Sequence, residues 1–145
     1  SMSKVLIIED ELDTAEPVKK GLELEGIQAN IATDGAAGLS MFQMEQYDLV
    51  LLDLKMPQMS GEEVLKELRK LDPFVDIIIY TNYTEFADIK KLTNIGIDGY
   101  INKGTEADLL ELITIIKEKL MPLDEADITA MLRDIPHDLF DEGRD

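Results

Sequence analysis

Five short apolar runs, rich in β-branched residues, alternate along this chain with amphipathic stretches of helical length. The runs are Lys4 to Ile8, Ile27 to Ala32, Leu49 to Asp53, Ile77 to Thr81 and Gly99 to Asn102. Near-continuous apolar character, clearest in the third and fourth runs, marks strands buried on both faces rather than half-exposed ones, and the second run is a weaker strand. The connections are only a few residues long, so the intervening helices act as crossovers between parallel neighbours. Right-handed crossovers then give an α/β fold, a doubly wound five-stranded parallel sheet in a three-layer sandwich. Periodicity leaves the strand order open. In such a sheet ligands bind beyond the carboxyl ends of the strands. The residues that close the runs are therefore the ones to examine: Glu9 and Asp10, Asp53, Thr81 and Lys103.

The helices carry their own punctuation. Thr14 is the expected cap of a first helix running to about Glu25, with Pro17 in its first turn and Gly26 as the residue that stops it. Asp34 caps a second helix to about Gln46, whose apolar residues are Leu39, Met41, Phe42 and Met44. Ser60-Gly61-Glu62-Glu63 has capping-box spacing before Val64, Leu65, Leu68 and Leu71, and Asp72-Pro73 ends that helix. Thr84 is expected to open the fourth helix and Gly96 to close it. Thr105 with Asp108 caps the fifth, which ends before Pro122.

Composition then narrows the chemistry. A net charge of -17 opposes binding to nucleic acid or anionic lipid and favours a cationic ligand or partner surface. Cysteine is absent, so disulfides and thiolate metal sites are excluded. No stretch approaches the roughly 18 consecutive apolar residues of a membrane span and no signal-peptide core precedes the first strand, so a cytoplasmic protein is expected. A dinucleotide enzyme is disfavoured, because no G-x-G-x-x-G follows the first strand. Three carboxylates at one sheet edge repel one another unless a cation intervenes. Oxygen-only donors suit a hard divalent ion, and Mg²⁺ held by one or two carboxylates plus a phosphate is the usual arrangement. An aspartate nucleophile, a metal, an ammonium and a hydroxyl are together the parts that accept a phosphoryl group.

With those residues in view the chain resembles the receiver domains of two-component response regulators, over about residues 4 to 121. The resemblance rests on Glu9-Asp10 after the first strand, Asp53-Leu-Lys-Met-Pro-Gln-Met-Ser-Gly61, Thr81 after the fourth, then Tyr100 and Lys103. It implies a flavodoxin-like (βα)5 sheet of order 2-1-3-4-5. It also implies that Asp53 is the phosphoacceptor, and that Glu9, Asp10, Asp53 and the main-chain carbonyl of Lys55 hold Mg²⁺. Lys103 would pair with phosphoryl oxygens. Thr81 would swing to the phosphorylated aspartate and Tyr100 would follow inward, remodelling the face of the fourth helix, fifth strand and fifth helix. The partners implied are a histidine kinase or phosphotransfer protein, an output domain or effector, and a second copy through that face. No enzymatic activity is implied beyond self-catalysed phosphoryl acceptance and hydrolysis.

Three positions depart from the common receiver pattern: Gly104 where many have proline, Asn82 where a small residue follows the threonine, and Glu9 in place of aspartate. The competing reading is a constitutive scaffold of receiver shape with no phosphoryl switch. A dehalogenase-type hydrolase is discounted, since Lys55 stands where the leaving-group acid would be. Met56 and Met59 read as loop packing, and His137 as a solvated side chain in the tail. The domain division expected is a receiver over 1–121 and an acidic C-terminal extension over 122–145, with a short helix near Glu125 to Arg133.

Overall fold

The computed structural model describes residues 2–82, 86–121, 129–130 and 132–133. Its strands are β1 (Lys4–Ile8), β2 (Gln28–Ala32), β3 (Leu49–Leu52), β4 (Asp76–Thr81) and β5 (Gly99–Asn102). Its helices are α1 (Leu12–Leu24), α2 (Gly35–Met44), α3 (Gly61–Leu71), α4 (Phe86–Ile95) and α5 (Glu106–Leu120). All strand pairs are parallel, in the order β2-β1-β3-β4-β5, so the order reverses between β1 and β3. The expected doubly wound sandwich is the one formed. The opening of the fourth helix at Thr84, His137 and most of the acidic extension lie outside the described residues. Residues 129–130 and 132–133 are helical and exposed.

Because side chains alternate across a strand, each strand feeds two cores. Val5, Ile7, Leu49, Leu51, Ile78, Tyr80 and Ile101 pack with Ala15, Val18 and Leu22 of α1 and Leu112 and Ile116 of α5. Leu6, Ile8, Val50, Leu52, Ile77 and Ile79 face the other way, onto Val64, Leu65 and Leu68 of α3 and Leu92 of α4. Three helix caps form where the sequence placed them. Asp34 accepts from the Ala37 N–H at 2.7 Å. Ser60 accepts from the Glu63 N–H at 3.2 Å. Thr105 and Asp108 complete a reciprocal capping box. Gly26 takes φ 77° just beyond α1, the left-handed conformation that ends a helix at small cost.

Two helices differ from expectation. α1 begins at Leu12, not after Thr14, and its N-cap Glu11 makes no side-chain cap bond. The Glu11 N–H instead donates to the Glu9 carboxylate at 3.1 Å, which fixes the turn before the helix. Pro17 therefore sits inside α1 rather than in its first turn, where it removes a backbone bond. Leu24 points to solvent at 79% exposure, and Ala15 takes a place on the buried face. In α2, Leu39, Met41 and Phe42 pack on the core as expected, but the residues it buries fully are Gly35 and Gly38, and Met44 is 80% exposed. A Cβ on Gly38 would lie 2.6 Å from Ile8 Cδ1, so this helix approaches the sheet on its small residues.

Candidate functional site

Strand parity decides which edge residues meet. Glu9 continues the series Val5, Ile7, and Asp53 continues Leu49, Leu51; Lys103 follows Ile101 by two. All three therefore lean to the side of the sheet covered by α1 and α5. The ladder persists one residue past each strand and keeps that alignment: the N–H groups of Glu9, Asp53 and Lys103 donate to the carbonyls of Ala32, Ile8 and Thr81 at 2.9, 3.0 and 2.9 Å.

At the edge, carboxylate oxygens of Glu9, Asp10 and Asp53 lie within 4.8 Å of one another. Glu9 and Asp53 are buried, at 3% and 5% exposure, and Asp10 is half-buried. The Lys103 ammonium sits 3.3 Å from Asp53 Oδ1 and forms a close ion pair with Glu9 Oε1. It also lies 5.8 Å from the Tyr80 ring centroid, a cation–π distance. Burial pushes the Glu9 carboxyl up to about 7, against the hydrogen bonds from Lys103 and the Glu11 N–H, and the charge of Asp53 adds to the rise. Burial also works against the Lys103 ammonium. Its bond to Glu9 and the charge of Asp53 outweigh that and raise its pKa.

Among the described residues the local balance is three carboxylates against one ammonium, so the cluster is short of positive charge. A hard divalent ion fits this donor set: among the described residues every atom offered is oxygen, and no histidine or thiolate takes part. Gly61 lets the loop after Asp53 close over the edge. Its N–H donates to the Leu54 carbonyl at 3.0 Å, and a Cβ there would collide with the Asp53 carbonyl oxygen and Leu54 Cα.

The sequence-predicted residues divide into two groups. Glu9, Asp10, Asp53 and Lys103 come together, and Lys55 and Asn82 line the cleft above them. Thr81 has the opposite parity and is fully buried at the end of β4. Tyr100 packs against the α3 and α4 side of the core. The phosphoryl-facing and switch-facing candidates thus belong to opposite faces of one edge. Met56 and Met59 pack against the same α3 and α4 core, as loop packing requires.

Sequence reasoning missed the walls of the cleft. Glu11 and Asp13 come from the start of α1 and Pro17 from further along it, Tyr80 from β4, and Glu106 and Leu109 from α5. For Tyr80 the signal was present, since it shares the parity of Ile78. For the helix residues it lies only in the three-dimensional packing.

A family model described as the response regulator receiver domain matches residues 5–116. The sensory transduction protein RegX3 of Mycobacterium tuberculosis is 39% identical over 119 residues, which are 82% of this chain and 51% of that protein. The transcriptional regulatory protein DltR of Streptococcus agalactiae is 37% identical over 107 residues, 74% of this chain and 48% of that protein. The chain spans about half the length of these curated relatives. A CheY-like receiver domain protein from Methanospirillum hungatei has a similar structure, with TM-score 0.78 and 34% identity over 83% of this chain and 94% of that one. The response regulator TrrA of Thermotoga maritima, solved in complex with Mg(2+)-BeF, aligns with TM-score 0.72 and 34% identity over 81% of this chain and 99% of that one.

Proposed function

The chain belongs to the response regulator receiver domain family of two-component systems, and from that premise we propose that it accepts a phosphoryl group on Asp53 with the help of Mg²⁺. The observation that carries this reading is the convergence of Glu9, Asp10 and Asp53 oxygens within 4.8 Å, with the Lys103 ammonium 3.3 Å from Asp53. Glu9, Asp10, Asp53 and the Lys55 carbonyl are the residues that would hold the ion. When bound, Mg²⁺ supplies the positive charge the cluster lacks and neutralises developing charge on phosphoryl oxygens.

The protein's own groups do the rest. One Asp53 oxygen attacks phosphorus, and the leaving group departs on the opposite side. The new acyl phosphate places negative oxygens near the Lys103 ammonium, which is held ready by Glu9 and by the Tyr80 ring. Burial of Asp53 limits water at the attacking atom. Hydrolysis later returns the carboxylate and releases inorganic phosphate.

The switch follows from parity. In this reading the Thr81 hydroxyl bonds a phosphoryl oxygen, leaving room into which the Tyr100 ring moves from the α4 side. That is a population shift: the phosphorylated edge favours one of two arrangements of the α4, β5 and α5 face. A histidine kinase or phosphotransfer protein is the proposed donor, and an output domain, an effector or a second copy meets the altered face. Residues 1–121 are proposed as the receiver and 122–145 as an acidic extension, acting in the cytoplasm.

The test is a titration with Mg²⁺ and then fluoroberyllate, followed by tyrosine fluorescence. A saturable Mg²⁺ response, a further change on fluoroberyllate and the loss of both in Asp53→Asn are expected. A constitutive scaffold would give a flat response to both.

A further inference from the structure

The cleft above Asp53 encloses roughly 640 Å³, far more than one phosphoryl group fills. Its outer wall is acidic. Glu11 and Asp13 at the start of α1 and Glu106 at the start of α5 are all exposed, and all line this one mouth. Lys55 is the exposed cation on the same wall, and Lys103 below it is already paired with Glu9 and Asp53. Acidic residues favour helix N-termini through the macrodipole, which accounts for Asp13 and Glu106 locally. Whatever places them there, their field falls on the path by which a phosphodonor reaches Asp53.

We propose that Glu11, Asp13 and Glu106 make the cleft select phosphodonors by charge, disfavouring free dianionic acyl phosphates relative to donors whose phosphoryl group rides on a protonatable nitrogen. This rests on Asp53 being the phosphoacceptor. In both transfers a bond forms between an Asp53 oxygen and phosphorus. With acetyl phosphate the phosphorus–oxygen bond breaks and acetate leaves with the electron pair. With phosphoramidate the phosphorus–nitrogen bond breaks and ammonia leaves from its protonated form. Acetyl phosphate arrives with two negative charges at neutral pH, whereas the ammonium group of phosphoramidate cancels one of its two. Across roughly 8 Å of water each rim carboxylate slows a dianion by about two- to fivefold, more at low ionic strength than at high.

The experiment compares initial rates of phosphorylation, read by intact mass at saturating Mg²⁺, for the wild type and Glu11→Gln/Asp13→Asn/Glu106→Gln. The triple variant is expected to accept acetyl phosphate about 10- to 100-fold faster at low salt and phosphoramidate about 3- to 10-fold faster, the contrast shrinking as salt is added. Glu118→Gln, on the far part of α5, should change neither rate. Asp13→Lys alone should move the donor preference in the same direction and guards against misfolding of the triple variant. Labelling of Asp53 at unchanged rates in the rim variants, or equal acceleration of both donors, overturns this inference and leaves the assignment of Asp53 standing. No labelling of the wild type by either donor overturns both.

Discussion

The two ends of this sheet carry charge in opposite ways. At the amino end, Arg69 donates to the carbonyls of Gly96 and Val75 at 2.8 and 2.7 Å and to Asp98 Oδ2 at 2.9 Å. That Asp98 oxygen also accepts the Ile77 N–H at 2.8 Å. Lys4 likewise ties its N–H to Asp48 and its ammonium to Glu45, which also accepts from the Tyr47 hydroxyl. Arg69, Asp98, Lys4 and Glu45 each have their partners within the chain. At the carboxyl end, Glu9 and Asp53 share the Lys103 ammonium, with the Asp10 carboxylate beside them. The difference teaches where the fold is stabilised and where it has been left to be completed from outside, since a site left short of charge is one that an ion or a ligand can bias.

Substitutions can break or sharpen that contrast. The largest effect expected is from Arg69→Ala, which removes a donor from the Gly96 and Val75 carbonyls and leaves Asp98 with the Ile77 N–H, in a region where Arg69 is 14% exposed. A loss of about 3 kcal/mol in urea unfolding is expected. Arg69→Lys should recover only part of it, because one ammonium cannot reproduce the planar fork.

Gly61→Ala comes next, at about 2 kcal/mol, because the added methyl meets the Asp53 backbone. Unlike the Arg69 variants it should also weaken the Mg²⁺ response, as the shifted backbone carries Asp53 and Lys55. If both variants lower stability and leave Mg²⁺ binding untouched, the two ends are not distinct in the way described.

Asp53→Asn should act in the opposite direction. Removing one of three crowded carboxylates is expected to raise metal-free stability by roughly 1 kcal/mol, even with its contact to Lys103 weakened. A loss as large as that of Arg69→Ala would mean the carboxyl end is as self-sufficient as the other.

The smallest effect concerns Asp76, at the amino end, whose carboxyl pKa is raised by burial and then by the charge of Asp98. Its folded-state pKa lies above its unfolded value, so the folded form holds that proton more tightly. The contribution of Asp76 to stability is therefore intact below its unfolded pKa and is lost as pH rises through the folded one. Asp76→Asn should be slightly more stable than the wild type at neutral pH, with the gap closing in acid, as a pH series of thermal melts would show.

Much of this was legible from the chain. The five apolar runs, the caps at Asp34, Ser60 and Thr105, and the edge residues Glu9, Asp53 and Lys103 follow from local pattern, because each is fixed by a few neighbouring residues. The start of α1 was not, since a carboxylate from Glu9 holds the Glu11 N–H and the helix begins before Thr14. Part of the packing face of α2 was hidden, because beside Leu39, Met41 and Phe42 it includes Gly35 and Gly38, which carry no hydropathy signal. The acidic mouth of the cleft joins residues from opposite ends of the chain, Asp13 and Glu106, and only the assembled sheet brings them together.

The most direct test of the central claim is peptide-mapped mass spectrometry of the chain after incubation with phosphoramidate and Mg²⁺. One added phosphoryl group located on Asp53, absent when Mg²⁺ is chelated, is the result expected. A phosphoryl group found on another residue, or uptake that is indifferent to Mg²⁺, would contradict it.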